Sequence, residues 1–486
     1  MSEEARQLLA HYWPHVVLFI SVLASVSAAI HAAMTKQDVR AAIGWVAVVI
    51  FSPLLGATFY LFAGINRIRR QRVSQQRKLA EYELKIREQV VVLDLGDHVD
   101  PALKSLHRLG NEINRNYLLK GNRIRLLSSG DETYPAMLEA IGSAQKSILM
   151  QSYIFDHDGI GVRIAQALID AKDRGVEVRV LIDAVGSRYS KPPITRMLEK
   201  GGVTVGLFLR TAIGLKLVYA NLRSHRKLLV VDGCKALAGG MNIREGFTTE
   251  FAGQDVASDT HFELAGPVAR QLFESFAQDW EFTTGEHLEG DYWHGVFTLA
   301  KEGPSVAMRV VQSGPDQTLG RNQGMLLGAL SVARHHIRIQ SPYFLPEPVL
   351  IAALVTAARK GVKVDVVIPI NNNLKLVSAA MEAQLDQLIE GGVRVWRAKG
   401  AFDHSKLLAI DGQWCYVGSS NVDPRSQRLN FELDLEVYDR ALTEQIQARI
   451  DTKIANAHRV KLAELASRPF WLRLRNRFAW LASPYL

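Results

Sequence analysis

Histidine, lysine, aspartate and asparagine recur in this chain at one fixed spacing, twice. The first set is His225-Arg-Lys227, four apolar residues, then Asp232, closing on Gly239-Gly-Met-Asn242. The second is His404-Ser-Lys406, four apolar residues, Asp411, and Gly418-Ser-Ser-Asn421. In each, lysine follows histidine by two positions and aspartate by seven, and asparagine follows that aspartate by ten. One such match arises by chance in ordinary sequences; two in register with each other do not. In an extended chain His225 and Lys227 share a face, as do His404 and Lys406. No nearby acid satisfies these cationic pairs, and a bound anion would.

A phosphodiester is an anion whose chemistry these residues fit. Cleaving it requires neutralised charge, a nucleophile and an acid for the leaving alcohol. Two histidines facing each other supply the last two. One attacks phosphorus to form a phosphohistidine; the other protonates the departing hydroxyl and then takes a proton from the acceptor. Lys227 and Lys406, with Asn242 and Asn421, would hold the phosphoryl oxygens as charge builds. A neutral imidazole nucleophile needs its second nitrogen held by an acceptor, and Asp259 and Glu432 are the candidates. Asp232 and Asp411 complete the candidate catalytic set. They differ in strand parity from their histidines and open the turns Asp232-Gly233 and Asp411-Gly412, so the role expected of them is structural. The symmetric motif does not say which histidine attacks. No metal cluster is expected, because the adjacent His335 and His336 would point to opposite faces of a strand. No phosphate-binding glycine loop occurs, and no cofactor is expected.

The elements that must position these residues are duplicated too. Ser147-Ile-Leu-Met-Gln-Ser-Tyr-Ile-Phe155 reads as a buried strand, Ala167 to Gly175 as a helix ended by glycine, and Val176 to Ile182 as a second strand. Ile337 to Phe344, Ala353 to Gly361 and Val362 to Ile368 repeat that order about 190 residues later. Gly201-Gly-Val-Thr-Val205 has its partner in Gly391-Gly-Val-Arg-Val395. The fold expected is α/β: two similar lobes, each a sheet flanked by helices, related by a pseudo-twofold axis.

The doubled His-x-Lys-x4-Asp with its following Gly-x-x-Asn resembles the signature of the phospholipase D superfamily. Asn421-Val-Asp-Pro-Arg-Ser426, Asn430-Phe-Glu432, Arg468-Pro-Phe-Trp471 and Ser483-Pro-Tyr-Leu486 are similar to the bacterial cardiolipin synthase family, so the likeness covers nearly the whole chain. That resemblance implies phosphatidyl transfer between two phosphatidylglycerol molecules, giving cardiolipin and glycerol. It leans towards His225 as the nucleophile. One departure is Gln254-Asp-Val-Ala-Ser-Asp259, where many members carry a tryptophan just before the acid; the choice of acid there stays open.

The chain has 486 residues, a net charge of +9 and a pI of about 9.4, which suits an anionic partner. Two cysteines, Cys234 and Cys415, exclude a disulfide framework or a zinc site. Val16 to Ala33 and Ala41 to Gly64 are apolar runs close to bilayer-spanning length, with Trp13, Trp45, Tyr60 and Phe62 as interfacial anchors. Arg67, Arg69, Arg70, Arg72, Arg77 and Lys78 follow with no acid between them, so both ends of such a hairpin belong in the cytoplasm. A cleaved signal peptide or two buried core helices are the competing readings of these runs.

The organisation expected is a transmembrane hairpin over 13–64, a basic juxtamembrane linker and helix over 65–121, lobes over 122–295 and 296–450, and a basic amphipathic segment over 451–486. In that segment Trp471, Leu474, Phe478 and Leu481 share a helical face opposite Arg473 and Arg477, a pattern that fits either an anionic interface or packing on the body. Arg210 to Tyr219 is apolar and basic and would line a lipid entry or be an ordinary strand and loop. The location expected is the bacterial inner membrane, with the lobes in the cytoplasm and phosphatidylglycerol and cardiolipin as partners. Self-association into a homo-oligomer is compatible with the sequence. A nuclease and a non-catalytic scaffold are the readings from other classes. Charge beside the spans and the lack of an aromatic base platform count against nucleic acid; two intact motifs count against a scaffold.

Overall fold

The computed structural model describes residues 3–36, 38–64, 91–92, 95–96, 100–210, 221–290, 292–293 and 305–483. The chain divides into two compact units, Met1–Arg69 and Arg70–Leu486. The basic run Arg67 to Lys78, and all of the Arg210 to Tyr219 stretch except Arg210, lie outside the described residues.

The first unit is helical. Helix α1 (Glu3–Thr35) contains the 25-residue stretch His11–Thr35, long and apolar enough to cross a bilayer. Helix α2 (Val39–Phe51) starts at Asp38, whose carboxylate accepts the Ala41 amide at 2.9 Å. The second apolar run, expected as one span, is instead divided. Pro53 has no amide hydrogen and disfavours helical geometry at the residue before it, so the chain turns at Ser52 (φ −138°, ψ 74°). Helix α3 (Pro53–Phe59) and a π-helical turn (Tyr60–Gly64) complete the run. Among the described residues α1 alone reaches spanning length. The later segments pack back on it: Ser25 Oγ donates to the Val49 carbonyl at 2.7 Å, and His31 Nδ1 lies 2.7 Å from Tyr60 Oη.

The second unit is built on one sheet. Its strands are β1 (Leu119–Leu127), β2 (Ser147–Ser152), β3 (Glu177–Asp183), β4 (Thr204–Phe208), β5 (Arg223–Ser224), β6 (Leu228–Val231), β7 (Lys235–Gly239) and β8 (His261–Ala265), followed by β9 (Val306–Ser313), β10 (His336–Gln340), β11 (Lys363–Pro369), β12 (Arg394–Ala398), β13 (Leu407–Ile410), β14 (Trp414–Gly418), β15 (Asn430–Tyr438) and β16 (Ala457–Arg459). At the centre β1 and β9 run antiparallel. Outward from them the order is β8, β7, β6, β2, β3, β4 on one side and β15, β14, β13, β10, β11, β12, β16 on the other. Strands β2, β3 and β4 are mutually parallel, as are β10, β11 and β12. Strand β2 is buried along its whole length, β3 and β10 alternate polar and apolar residues at their starts, and β4 and β12, towards the two ends of the sheet, are only partly buried. One apolar core gathers around Ile148, Met150, Val178 and Val180, another around Ile337, Ile339, Val364 and Val366.

Two boundaries differ from the sequence expectation. The helix Pro101–Ile113, in the stretch expected as a juxtamembrane linker and helix, buries Leu103 and Leu106 in the second core. Gly110 makes room there for Arg309: a Cβ on it would lie 2.3 Å from the guanidinium. The 451–486 segment is also more than an amphipathic helix. Helix Arg440–Ala455 runs through residue 451, β16 adds an edge strand to β12, and two helices, Leu462–Ala466 and Phe470–Leu481, follow.

Candidate active site

Strand alternation sorts the first motif. His225 and Lys227 turn to one side, and Arg226 between them turns to the other, where its Nη1 donates to Asp279 at 2.9 Å beneath helix Val268–Thr284. Backbone bonds then carry each histidine across the molecule. The His225 amide donates to the Phe431 carbonyl at 2.8 Å, and β5 pairs in parallel with the start of β15. The His404 amide donates to the Ser258 carbonyl at 2.7 Å. Each histidine of one half is thus pinned by the stretch that precedes a carboxylate of the other half.

The carboxylates follow the same exchange. Glu432 Oε2 lies 2.9 Å from His225 Nδ1, and Asp259 Oδ2 lies 2.7 Å from His404 Nδ1. Both acids are fully buried. Glu432 also accepts from Ser419 Oγ at 2.5 Å and from Asn430 Nδ2 at 3.0 Å. The shorter Asp259 accepts the Thr260 amide at 2.8 Å, and Gly240 leaves it space: a Cβ there would sit 2.4 Å from Oδ1.

The two lysines point into the same buried region. Lys227 Nζ donates to the His225 carbonyl at 2.5 Å, and Lys406 Nζ donates to the His404 carbonyl. Lys406 Nζ also lies 2.8 Å from His404 Nδ1; with the proton on Nδ1 the hydrogen bond there goes to Asp259.

Burial sets the charge states. It drives His225 well below its ordinary range, with Lys227 and Lys406 adding to the fall, and it lowers His404 to about 4, again with Lys406. Both imidazoles are therefore neutral at neutral pH, each with its Nδ1 at a carboxylate. Burial also lowers Lys227 to about 7 and depresses Lys406. The acids diverge. Burial pushes Glu432 up, whereas at Asp259 burial is outweighed by Lys406 and His404 and the carboxyl sits below its usual range.

The histidines open on one cleft of about 440 Å³, which Asn242 and Asn421 also line. Asn242 Oδ1 accepts the Ile154 amide at 3.2 Å, and Asn421 is buried. Asp232 and Asp411 stand apart from this chemistry. Asp232 accepts the amides of Gln145, Lys146 and Ser147 at 2.7–3.0 Å, and Asp411 those of Arg334, His335 and His336 at 2.7–2.8 Å. Each takes a positive φ, near 50°, as does the glycine after it, and ties its turn to the start of a parallel strand. Among the described residues that line the cleft neither appears, and the carboxylates of both are occupied by these backbone amides.

The sequence reading missed several cleft residues. The Tyr153 ring lies 5.3 Å from that of His225, tilted at 58°, and Tyr343 lies 5.8 Å from His404. Both sit in the duplicated strand passages, so their recurrence was a usable signal. Arg223, Arg244 and Arg425 line the cleft with, among the described residues, one acid, Asp423, which burial raises to about 7. Nothing in their spacing marks them, because they converge only in the fold.

The family model described as "Cardiolipin synthase, PLD-like domain" matches residues 137–280 and 326–454. The chain belongs to this phospholipase D-like family. A second model, "Phospholipase_D-nuclease N-terminal", matches residues 19–64. Cardiolipin synthase A of Pseudomonas aeruginosa is 32% identical over 94% of this chain and 93% of its own length. Cardiolipin synthase A of Pseudomonas syringae pv. syringae is 30% identical over 98% of this chain and 99% of its own. The crystal structure of phosphatidylserine synthase from Haemophilus influenzae shares the fold, with a TM-score of 0.61 at 18% identity, covering 78% of this chain and 100% of that one. Both motifs of this family member fall inside the matched segments.

Proposed function

We propose that this protein is a cardiolipin synthase that transfers a phosphatidyl group from one phosphatidylglycerol to another, releasing glycerol. The observation that carries the reading is the exchange of acids between halves: two histidines, each with its Nδ1 at a buried carboxylate, open on one cleft, and a buried lysine donates to the carbonyl of each. Near-full-length relatives bearing the name cardiolipin synthase support it.

In the first step His225 Nε2 attacks the phosphorus of the donor. The bond from phosphorus to the glycerol oxygen breaks, and His404, which takes up a second proton on Nε2 as the anionic donor binds, gives that proton to the oxygen. The products are a phosphatidyl-histidine and free glycerol. In the second step His404 takes the proton from the primary hydroxyl of a second phosphatidylglycerol, whose oxygen bonds to phosphorus as the bond to His225 breaks. Lys227, Lys406, Asn242 and Asn421 hold the phosphoryl oxygens through both steps. Glu432 and Asp259 fix the tautomers of His225 and His404. A covalent intermediate lets one site serve both lipids in turn. The cleft arginines suit the phosphate that the acceptor carries itself.

The strand order on either side of β1 and β9 supports two lobes related by a pseudo-twofold axis, with the histidines meeting across it. Residues 13–64 are read as a two-pass membrane hairpin, supported by the packing of α2 and α3 on α1, in a bacterial inner membrane with the lobes on the cytoplasmic side.

The test is purified protein in phosphatidylglycerol liposomes without nucleotide. Cardiolipin and glycerol should form in equal amounts. Dominant phosphatidic acid would make the protein a hydrolase, and cardiolipin formed only after phosphatidylethanolamine is added would refute the donor.

A further inference from the structure

The C-terminal helix Phe470–Leu481 packs against the body in an unexpected sense. It seats Asn476 and Ala479, which are buried, and its apolar face looks outward. Trp471 is 75% exposed, Phe478 63% and Leu481 65%. An amphipathic helix held by the body alone would turn that face inward. Its neighbour Lys375–Glu382 does the same at one end, burying Val377, Ala379 and Ala380 while exposing Leu376. The groove where the two helices meet is lined by Leu376, Ala379 and Phe478 among others. The surface is therefore a contiguous apolar patch rather than scattered residues.

Charge says what covers it. Lys375, Arg473 and Arg475 stand around the apolar residues, and among the described residues none has a carboxylate partner. The nearby acids are already committed: Asp386 to Arg477 at 2.9 Å, and Glu382 to Arg397 and Arg468 at 2.7 and 2.6 Å. An apolar stripe rimmed by unpaired cations matches an anionic lipid surface, with chains below and headgroups at the rim. The position matters as well. Leu374 and Val377, at the start of the Lys375–Glu382 helix, line the catalytic cleft.

We propose that this face is where the catalytic body lies on an anionic bilayer, and that lipid passes from the bilayer to the cleft along the Lys375–Glu382 helix. The proposal rests on the reading of the cleft as a site for phosphatidylglycerol. The face belongs to the catalytic body itself. It brings the cleft to the lipid, where a tether alone leaves the body free to tumble.

The experiment uses the full chain in liposomes containing phosphatidylglycerol, with Trp471→Ser/Phe478→Ser and Arg473→Glu/Arg475→Glu as variants. Each is assayed on long-chain phosphatidylglycerol in the bilayer and on a short-chain phosphatidylglycerol present as monomers. Both variants should lose about tenfold or more on the bilayer substrate and stay within about twofold on the monomeric one. Brominated lipid should quench the Trp471 fluorescence, read as the difference between wild type and Trp471→Phe. An unchanged bilayer rate, an equal loss on both substrates, or no quenching would overturn the proposal. A disulfide crosslink between copies of Phe478→Cys would also overturn it, by assigning the face to a second copy. Quenching in a wild type that makes no cardiolipin from either substrate would uphold the surface and sink the functional reading instead.

Discussion

Replacing Asp259 with asparagine removes one charge and one acceptor from beneath His404. In the native site Oδ2 lies 2.7 Å from His404 Nδ1 while Oδ1 accepts the Thr260 amide at 2.8 Å. Asparagine has one acceptor and one donor for these two places, and both native neighbours are donors. If its oxygen stays on Thr260, its amide faces Nδ1 and forces the imidazole proton onto Nε2. If its oxygen takes Nδ1, two donors meet at Thr260 in a fully buried place. A mispaired buried donor costs about 1–3 kcal/mol, or about 5- to 150-fold at 1.36 kcal/mol per decade. Lys406, whose Nζ is 3.9 Å from Oδ2, also loses its counter-charge. We therefore expect turnover to fall by about 100-fold, with thermal melting showing that the variant is folded. The assay is the initial rate of cardiolipin formation in phosphatidylglycerol liposomes. With an activated leaving group the first step needs no acid, so the adduct on His225 should form and persist. An Asp259→Asn enzyme within about threefold of wild type would refute the role given to this pair.

Three further outcomes follow from the same geometry. His225→Ala and His404→Ala should each abolish turnover, and mass spectrometry should find a phosphatidyl adduct on His225 only; near-normal activity in either variant would break the two-histidine scheme. Lys227 has its pKa lowered to about 7, so its charge is present below that pH and lost above it. The value of kcat/KM should then fall as pH rises through the neutral range, and kcat only at higher pH, because a bound phosphodiester favours the charged lysine. Arginine stays protonated, so an alkaline limb that moves in neither Lys227→Arg nor Lys406→Arg would exclude the lysines. Asp411→Ala strips the acceptor from three amides and should lower stability by about 3 kcal/mol in denaturant melts, while activity per folded molecule changes little.

Much of the site was legible because it is written locally. The histidine and lysine of each motif are two residues apart, and an extended chain must place them on one side. The duplicated passages became the parallel strands β2, β3, β10 and β11, whose apolar residues Ile148, Val178, Ile337 and Val364 sit in the two cores. Other features turn on more than the run of apolar residues. Ala41 to Gly64 is apolar throughout, and Pro53 divides its helix. The apolar stripe of the C-terminal helix was legible, but not that Asn476 and Ala479 would be the seated side.

The sequence by itself determined the chemistry available: which groups could attack, donate and hold a phosphate, that they occur twice, and that Asp232 and Asp411 would open turns. The tertiary structure alone decided who serves whom. Asp259 lies 145 residues from His404, and Glu432 lies 207 from His225, so no spacing rule connects them. The acids change partners because each histidine is bonded, through its own amide, to the chain just before the other half's acid. From the other half, Glu432 and the Ser419 carbonyl reach His225 Nδ1, and Asp259 reaches His404 Nδ1.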